Sequence, residues 1–370
     1  MKIYKPQLIA FMNSYSQGKS GGDMVFIEVA KRIKEYDKMI VTSRLGKDLC
    51  QKSGLKGKYL ITTREPEFRH LFLTYFQRIL KAFFLKLSAG EKDILLSTSD
   101  FLPDVLPAFW RKLKSKKTKW VQHIFHLVPP SRKGPFFAQK ISFLFIKPLA
   151  DLIIVDNRQL KNDLIKLGFS SDRVFVNSPG IDLQRLKLVK KEGVGYDGIF
   201  MAQLRSSKGI FDLVKIWQRV CQAKPTLKLG IMGRGMPRMV KRIKSLIKAE
   251  GLEKNINLLG YLEDKEAFTT IKASRVFIFP SREEGFGIAP LEAQACGLPV
   301  VAWNLPVYRE VFKGGIVKVK TGQLKKFAEA VVELLTDNRF YRKLAKEAVD
   351  NANQYDWNRV AKRELEIIKK

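Results

Sequence analysis

Phe279–Pro299 reads FPSREEGFGIAPLEAQACGLP, and the reading of the whole chain starts there. An apolar run, Val276-Phe277-Ile278-Phe279, leads in as a buried strand. Pro280 and Ser281 form a polar turn, two acids and a Gly-Phe-Gly turn follow, then a short helix and a second strand, Val300-Val301-Ala302. Glu284 and Glu292 stand eight positions apart, the first at the strand-to-helix turn and the second inside the helix. Because the Gly285-Phe286-Gly287 turn lies between them, the two need not share a helical face. Gly285 and Gly287 let the backbone approach a ligand closely. The helix that follows presents free N–H groups and a positive dipole end to an anion. Glu284 at the mouth of a crevice and Glu292 on its wall suit a nucleotide-sugar, with the diphosphate on the N–H groups and the hydroxyls on the carboxylates. A lone pair of acids at this spacing is common on ordinary helix–strand connections, so the weight rests on the surrounding pattern.

The totals narrow the class. A chain of 370 residues with 45% hydrophobic and 11% aromatic content is globular and long enough for two domains. Cys50, Cys221 and Cys296 are scattered and odd in number, which argues against zinc and a disulfide framework and for a reducing compartment. The apolar run Leu8–Met12 is too short for a signal peptide, and no run reaches the roughly 18 residues of a spanning helix. The expectation is a cytoplasmic protein, peripheral at the inner membrane face. Lys+Arg 68 against Asp+Glu 36 gives a net charge of +32, a field that draws polyanions: nucleic acid, an anionic leaflet or phosphorylated substrates.

Strand-like runs alternate with helical patterns, which predicts α/β architecture with parallel sheets. Strands are expected at 7–12, 38–42, 94–97, 120–125, 152–155 and 173–176, then at 198–201, 227–232 and 276–279. Helical patterns are expected to finish the chain. A charged, glycine-containing stretch at 186–197 has no clear period and reads as a linker. The expected division is an acceptor domain over 1–185, the linker, a donor domain over 198–355 and a last helix within 356–370. Two such doubly wound Rossmann-like domains, facing across a cleft, would hold a ligand outside the carboxyl ends of their strands.

Pro-Ser-x-x-Glu-Gly-Phe-Gly, followed by Leu-Glu-Ala and Ala-Cys-Gly-Leu-Pro-Val-Val-Ala, resembles the donor-site segment of the family-four retaining glycosyltransferases. That family has the GT-B fold, and the match runs unbroken over the segment. The resemblance implies transfer of a glycosyl group from a UDP- or GDP-sugar to an acceptor hydroxyl with retention, without a metal or other cofactor. It also implies a front-face reaction in which the departing phosphate takes the acceptor's proton. Glu284 would then hold the donor sugar and stabilise positive charge at its anomeric carbon, and Glu292 would hold the ribose. Gly285, Phe286 and Gly287 would form the turn around the sugar. A last helix that returns to the first domain is another property of the family.

Other motifs are read against the same family. Ser20-Gly21-Gly22-Asp23 opens a helix after the first strand, where members have a glycine pair beside the donor diphosphate and the acceptor. At Val121–Pro130 members usually carry His-Asp against the donor sugar. This chain lacks the aspartate, so His126, past the strand end, is the first choice and His123 the second. Asn177–Asp182 reads as a structural turn. In Phe200–Gly209, members have an arginine and a lysine on the diphosphate. Lys208 keeps its place, whereas Gln203 stands where arginine is expected and Arg205 is near enough to substitute. Gly233, in a Gly-x-Gly after a strand, is a further donor-binding candidate, and Gly260-Tyr261-Leu262 borders the base.

Residues 65–87 carry Phe68, Leu71, Phe72, Tyr75, Phe76, Ile79, Leu80, Phe83, Phe84 and Leu87 in a helical stripe, with Arg69, Arg78, Lys81 and Lys86 off it. Either the stripe packs on the first sheet, or it faces an anionic leaflet together with Lys112, Lys114, Lys116, Lys117, Lys133, Phe136 and Phe137. Two rival functions remain open here: a nucleotide-sugar epimerase or phosphorylase on the same fold, and a basic nucleic-acid-binding protein. The chain has no RNA-recognition, zinc-finger or helix-turn-helix pattern, so no specific nucleic-acid partner is expected. The expected partners are the nucleotide-sugar, a sugar or glycolipid acceptor and an anionic membrane surface.

Overall fold

The computed structural model describes residues 5–14, 21–64 and 71–370. The chain divides into two units, Met1–Pro179 with Trp357–Lys370, and Gly180–Asp356. Among the described residues the first is built on seven parallel strands: β1 Gln7–Met12, β2 Asp37–Thr42, β3 Lys58–Ile61, β4 Ile94–Ser97, β5 Lys119–Ile124, β6 Leu152–Val155 and β7 Val174–Val176. Their order in the sheet is β3-β2-β1-β4-β5-β6-β7. The second has six: β8 Gly198–Met201, β9 Leu229–Met232, β10 Ile256–Gly260, β11 Val276–Phe279, β12 Val300–Trp303 and β13 Ile316–Val319, in the order β10-β9-β8-β11-β12-β13. Every pairing is parallel.

The central strands are continuous apolar runs because helices cover both faces of a parallel sheet. Ile94-Leu95-Leu96, Leu152–Val155, Val276–Phe279 and Val300–Trp303 are buried throughout. In each unit the order reverses once, between β1 and β4 and between β8 and β11. At such a switch point the flanking loops diverge to opposite faces and leave room at the carboxyl ends of the strands.

The first division falls between Pro179 and Gly180. The stretch 186–197 is therefore a strap on the second unit and not a free linker. Leu186 and Tyr196 are buried in the second core, the Tyr196 N–H donates to Ser274 Oγ, and Lys272 Nζ donates to the Val189 carbonyl at 2.6 Å. At the other end, the helix Trp357–Ile368 belongs to the first unit and packs along the helix Gly21–Arg32. Trp357, Val360, Ala361, Ile367 and Ile368 lie in the same core as Val25, Phe26 and Ile33.

The aromatic helix spans Leu71–Phe84, while residues 65–70, with Phe68 and Arg69, lie outside the described residues. Its orientation reverses the reading in which the stripe packs on the sheet. The face turned inward is Thr74, Arg78 and Ala82, while Phe72, Phe76 and Phe84 of the stripe point out and Phe83 is half-buried. Arg78 is fully buried because its hydrogen bonds replace water: it donates to the Asn13 carbonyl at 2.9 Å and to Thr63 Oγ1 at 3.2 Å. The Tyr75 hydroxyl donates to the Ser14 carbonyl at 3.0 Å. The helix is thus moored by polar groups to the carboxyl end of β1.

Candidate active site

In the second unit, the loops after β8 and β11 are the two that leave the switch point, and they are locked together. After β8 the chain passes through Gln203, Leu204 and Arg205 into a single 3-10 turn, Ser206–Lys208. Gly209 closes that turn in the left-handed region at φ 71°, and a Cβ there would lie 1.8 Å from the Pro280 carbonyl oxygen. Only glycine fits. From the other loop, the Arg282 N–H and the Ser281 hydroxyl both donate to the Ser207 carbonyl, at 2.9 and 3.3 Å. Arg282 is held in turn by Asp212, at 2.7 Å.

This clamp brings Lys208 and Glu284 together. Lys208 Nζ donates to Glu284 Oε1 at 2.6 Å, with the side chains 19% and 10% exposed. A charge-assisted bond of this length, sheltered from water, fixes both groups at the strand ends. Gln203 and Arg205 are exposed on the same loop.

Gly287, at φ 101°, starts the helix Ile288–Ala295, and a Cβ on it would lie 2.9 Å from the Tyr308 ring. Phe286, expected at the turn around the sugar, is buried and meets Tyr355 edge-on at 5.6 Å between centroids. Its side chain is therefore core, so only the backbone of this residue is left for the turn's surface. Gly285 precedes it in the same bend, half-buried. Glu292 is half-buried in the helix, and its charge adds to burial in pushing the Cys296 thiol up to about 12. Beneath the turn the Tyr308 hydroxyl is buried and has no hydrogen-bond partner among the described residues. Burial first, and the nearby Glu284 carboxylate second, hold it well above the usual phenol range.

The ends of β8, β9 and β10 are also tied. Gly233 has φ 145°, and a Cβ there would come within 1.7 Å of the Ala202 carbonyl oxygen. The Gly233 N–H donates to the Gly260 carbonyl at 2.7 Å. Beside it the Arg234 guanidinium lies over the Tyr261 ring, 4.0 Å from its centroid.

The first-unit candidates sit at the ends of β1 and β5. Gly21 and Gly22 open the helix after β1, and Ser20 lies outside the described residues. A Cβ on Gly22 would lie 2.7 Å from the Phe125 ring, so this glycine lets the helix start pack against the β5 loop. His126 is exposed just past β5. His123 is buried, its Nε2 3.1 Å from Glu364 Oε1, while Asn177 Nδ2 donates to Glu364 Oε2 at 3.0 Å. The second-choice histidine therefore holds the helix 357–368 in place.

Two buried carboxyls at the end of β4 escaped sequence reading. Asp100 accepts from Gln139 Nε2 at 2.5 Å. Its carboxyl is raised by burial, against the opposing pull of Gln139 and of His126. An acid close to His126 therefore comes from the bend after another strand, β4. Asp104 accepts from the N–H groups of Asn13 and Ser14 and from the hydroxyls of Ser14 and Ser99. Burial still pushes it up to about 7.

Residues 190–353 match the glycosyl transferases group 1 family. These residues lie within the second unit, Gly180–Asp356. The chain is similar to the Corynebacterium glutamicum GDP-mannose-dependent monoacylated alpha-(1-6)-phosphatidylinositol monomannoside mannosyltransferase, 29% identical over 55% of this chain and 58% of that protein. It is similar to the Mycobacterium leprae phosphatidyl-myo-inositol mannosyltransferase, 29% identical over 43% of this chain and 42% of that one. The chain thus spans about half the length of these curated relatives. Among solved structures, Anabaena Alr3699/HepE in complex with UDP and glucose superposes with a TM-score of 0.78 at 18% identity, over 99% of this chain and all of that one. The Rickettsia africae glycosyltransferase gives a TM-score of 0.75 at 18% identity, over 99% and 98%. The fold of two Rossmann-like α/β units is that of these GT-B structures.

Proposed function

We propose that the chain is a retaining glycosyltransferase that moves a hexosyl-type sugar from a UDP- or GDP-sugar to a hydroxyl of a glycolipid or polysaccharide precursor at the inner membrane face. The observation that carries this reading is the Lys208–Glu284 pair at the carboxyl ends of the two strands beside the second switch point. A cation and a carboxylate side by side match the two halves of the donor, the diphosphate and the sugar hydroxyls.

In this mechanism the diphosphate lies against Lys208, with Gln203 and Arg205 beside it and the N–H groups opening the helix Ile288–Ala295 beneath. Charge that builds on the leaving diphosphate meets fixed donors and needs little reorganisation. Lys208 shifts toward phosphate, and Glu284 is left to bind the sugar hydroxyls and to stabilise positive charge at the anomeric carbon. Glu292 takes the ribose. The left-handed Gly233 and the Arg234–Tyr261 stack flank the base. The departing phosphate oxygen accepts the acceptor's proton as the new glycosidic bond forms on the same face. A lipid-borne acceptor is supported by the names of the mannosyltransferase relatives.

A panel of nucleotide-sugars read by thermal unfolding finds the donor, because ligand raises stability by RT ln(1 + [L]/Kd). The stabilising donor then goes to turnover with a lipid or sugar acceptor, with the product's anomeric coupling read by NMR. Loss of the reading would follow if no UDP- or GDP-sugar stabilised the protein, or if Glu284→Gln turned over like the wild type.

A further inference from the structure

Three helices lie side by side on one face of the first sheet: Leu71–Phe84, Leu102–Lys114 and Lys133–Leu149. Phe83 meets Trp110 at 5.9 Å between centroids and Phe109 meets Phe145 at 5.0 Å, so the layer is continuous. Inward it contributes Ala82, Val105, Ala108, Phe143 and Ile146 to one core with Phe11, Leu95 and Ile153. Its outer side is the reverse of a solvated surface. Phe72 is 80% exposed, Phe84 82% and Leu144 71%, with Phe76, Trp110 and Phe137 also exposed between them. Phe72, Phe76 and Phe84 fall on one helical line, as do Phe137, Ile141 and Leu144 on the third helix.

The exposed charges on these three helices have one sign. Lys81, Lys114, Lys133, Lys140 and Lys147 are exposed on the same three helices. The only acid in the three helices is Asp104, which is buried. Lys114 Nζ stands 4.7 Å from the Trp110 ring centroid and Lys140 Nζ 4.7 Å from that of Phe136, so the cations frame the rings. Among the described residues no helix is long and apolar enough to cross a membrane.

We infer that this three-helix face is a docking surface for an anionic phospholipid bilayer. Its aromatic side chains enter the interface and its lysines rest on the headgroups. Aliphatic and aromatic side chains gain by leaving water for the acyl boundary, and lysines without neighbouring carboxylates gain from a negative leaflet. A protein partner of mixed charge would leave the lysines unmatched. A neutral bilayer would use only the apolar part. The mooring of Leu71–Phe84 through Arg78 and Tyr75 to the carboxyl end of β1 places the bilayer beside the strand end where the first unit carries its site candidates. The docking surface stands apart from the transfer reaction, because vesicle binding is read without donor or acceptor.

The test is co-sedimentation of the full chain with vesicles of phosphatidylcholine alone and of phosphatidylcholine with about a third phosphatidylglycerol. Trp110 supplies a local readout, since Trp120, Trp217, Trp303 and Trp357 are all buried. The expected result is preferential binding to the anionic vesicles, weakened but not abolished by salt, with tryptophan emission quenched by lipid carrying a nitroxide on its acyl chain. Phe72→Ser/Phe76→Ser/Phe84→Ser should weaken vesicle binding by at least about tenfold. Its unfolding temperature and nucleotide-induced stabilisation should match the wild type. No binding to anionic vesicles, binding indifferent to the three substitutions, or unquenched emission overturns the inference. So does a wild-type dimer that the substitutions dissociate, which would assign the face to a second copy.

Discussion

Replacing Lys208 by methionine separates what the Lys208–Glu284 pair does for the fold from what it does for the donor. At 2.6 Å the two charges attract by about 6 kcal/mol at an effective dielectric of about 20. Desolvation of both groups takes back most of that. Removing the lysine alone leaves Glu284, only 10% exposed, without its cation, and this should cost about 1–3 kcal/mol. For a unit the size of Gly180–Asp356 that corresponds to a fall of roughly 3–9 °C in its unfolding temperature. Adding Glu284→Gln removes the stranded charge, so the double variant should recover most of the loss. Affinity for a nucleoside diphosphate should behave differently. It should drop at least about tenfold in Lys208→Met and stay low in the double variant, because the phosphate contact is gone in both. Differential scanning fluorimetry reads the first quantity and isothermal titration calorimetry with UDP and GDP the second. Wild-type affinity in Lys208→Met, or a double variant less stable than either single one, would refute the reasoning.

Glu292→Gln should raise the donor KM, corresponding to about 1–3 kcal/mol of binding, and leave kcat nearly unchanged, while Glu284→Gln should lower kcat as well; steady-state kinetics with the identified donor distinguishes them. Gly233→Ala should fail to fold or unfold at much lower temperature, since its Cβ would meet the Ala202 carbonyl at 1.7 Å and its φ is 145°; circular dichroism on heating checks this. The first unit should gain stability on mild acidification. Asp104 is pushed up to about 7, so between that pH and the ordinary carboxylate value near 4 the folded state holds a proton that the unfolded state has released. Stability therefore rises as pH falls through this window, by about 1.4 kcal/mol per pH unit from this group, and denaturant titrations should show the slope flattened in Asp104→Asn.

The second unit was the more legible half. Its candidate site residues lie in contiguous stretches, Gln203–Gly209 and Phe279–Pro299, and the partners Lys208 and Glu284 each follow a central strand whose apolar run is unmistakable. The edge strands Lys58–Ile61 and Ile316–Val319 went unread because they are short and only partly buried, and a lysine interrupts the second of them. For the aromatic helix, periodicity revealed an amphipathic stripe without saying which side faces in. The inward side was fixed by Arg78, whose partners Asn13 and Thr63 are distant in sequence. The same holds for Asp100 near His126. The expected His-Asp neighbour is absent from the β5 loop, and the acid comes from the bend after β4. The segment 186–197 reads as a linker by composition, yet two well-separated apolar residues, Leu186 and Tyr196, suffice to bind it to the second core.

The placement of Trp357–Ile368 sets a rule for how this polypeptide matures. Emerging from the ribosome, Met1–Pro179 can pair its strands early, but it lacks the cover for Val25, Phe26 and Ile33 and the carboxylate that His123 and Asn177 share. That cover is synthesised only after the whole of Gly180–Asp356. The unit that starts first therefore finishes last, and in the interval its uncovered apolar flank is open to chaperones or to aggregation.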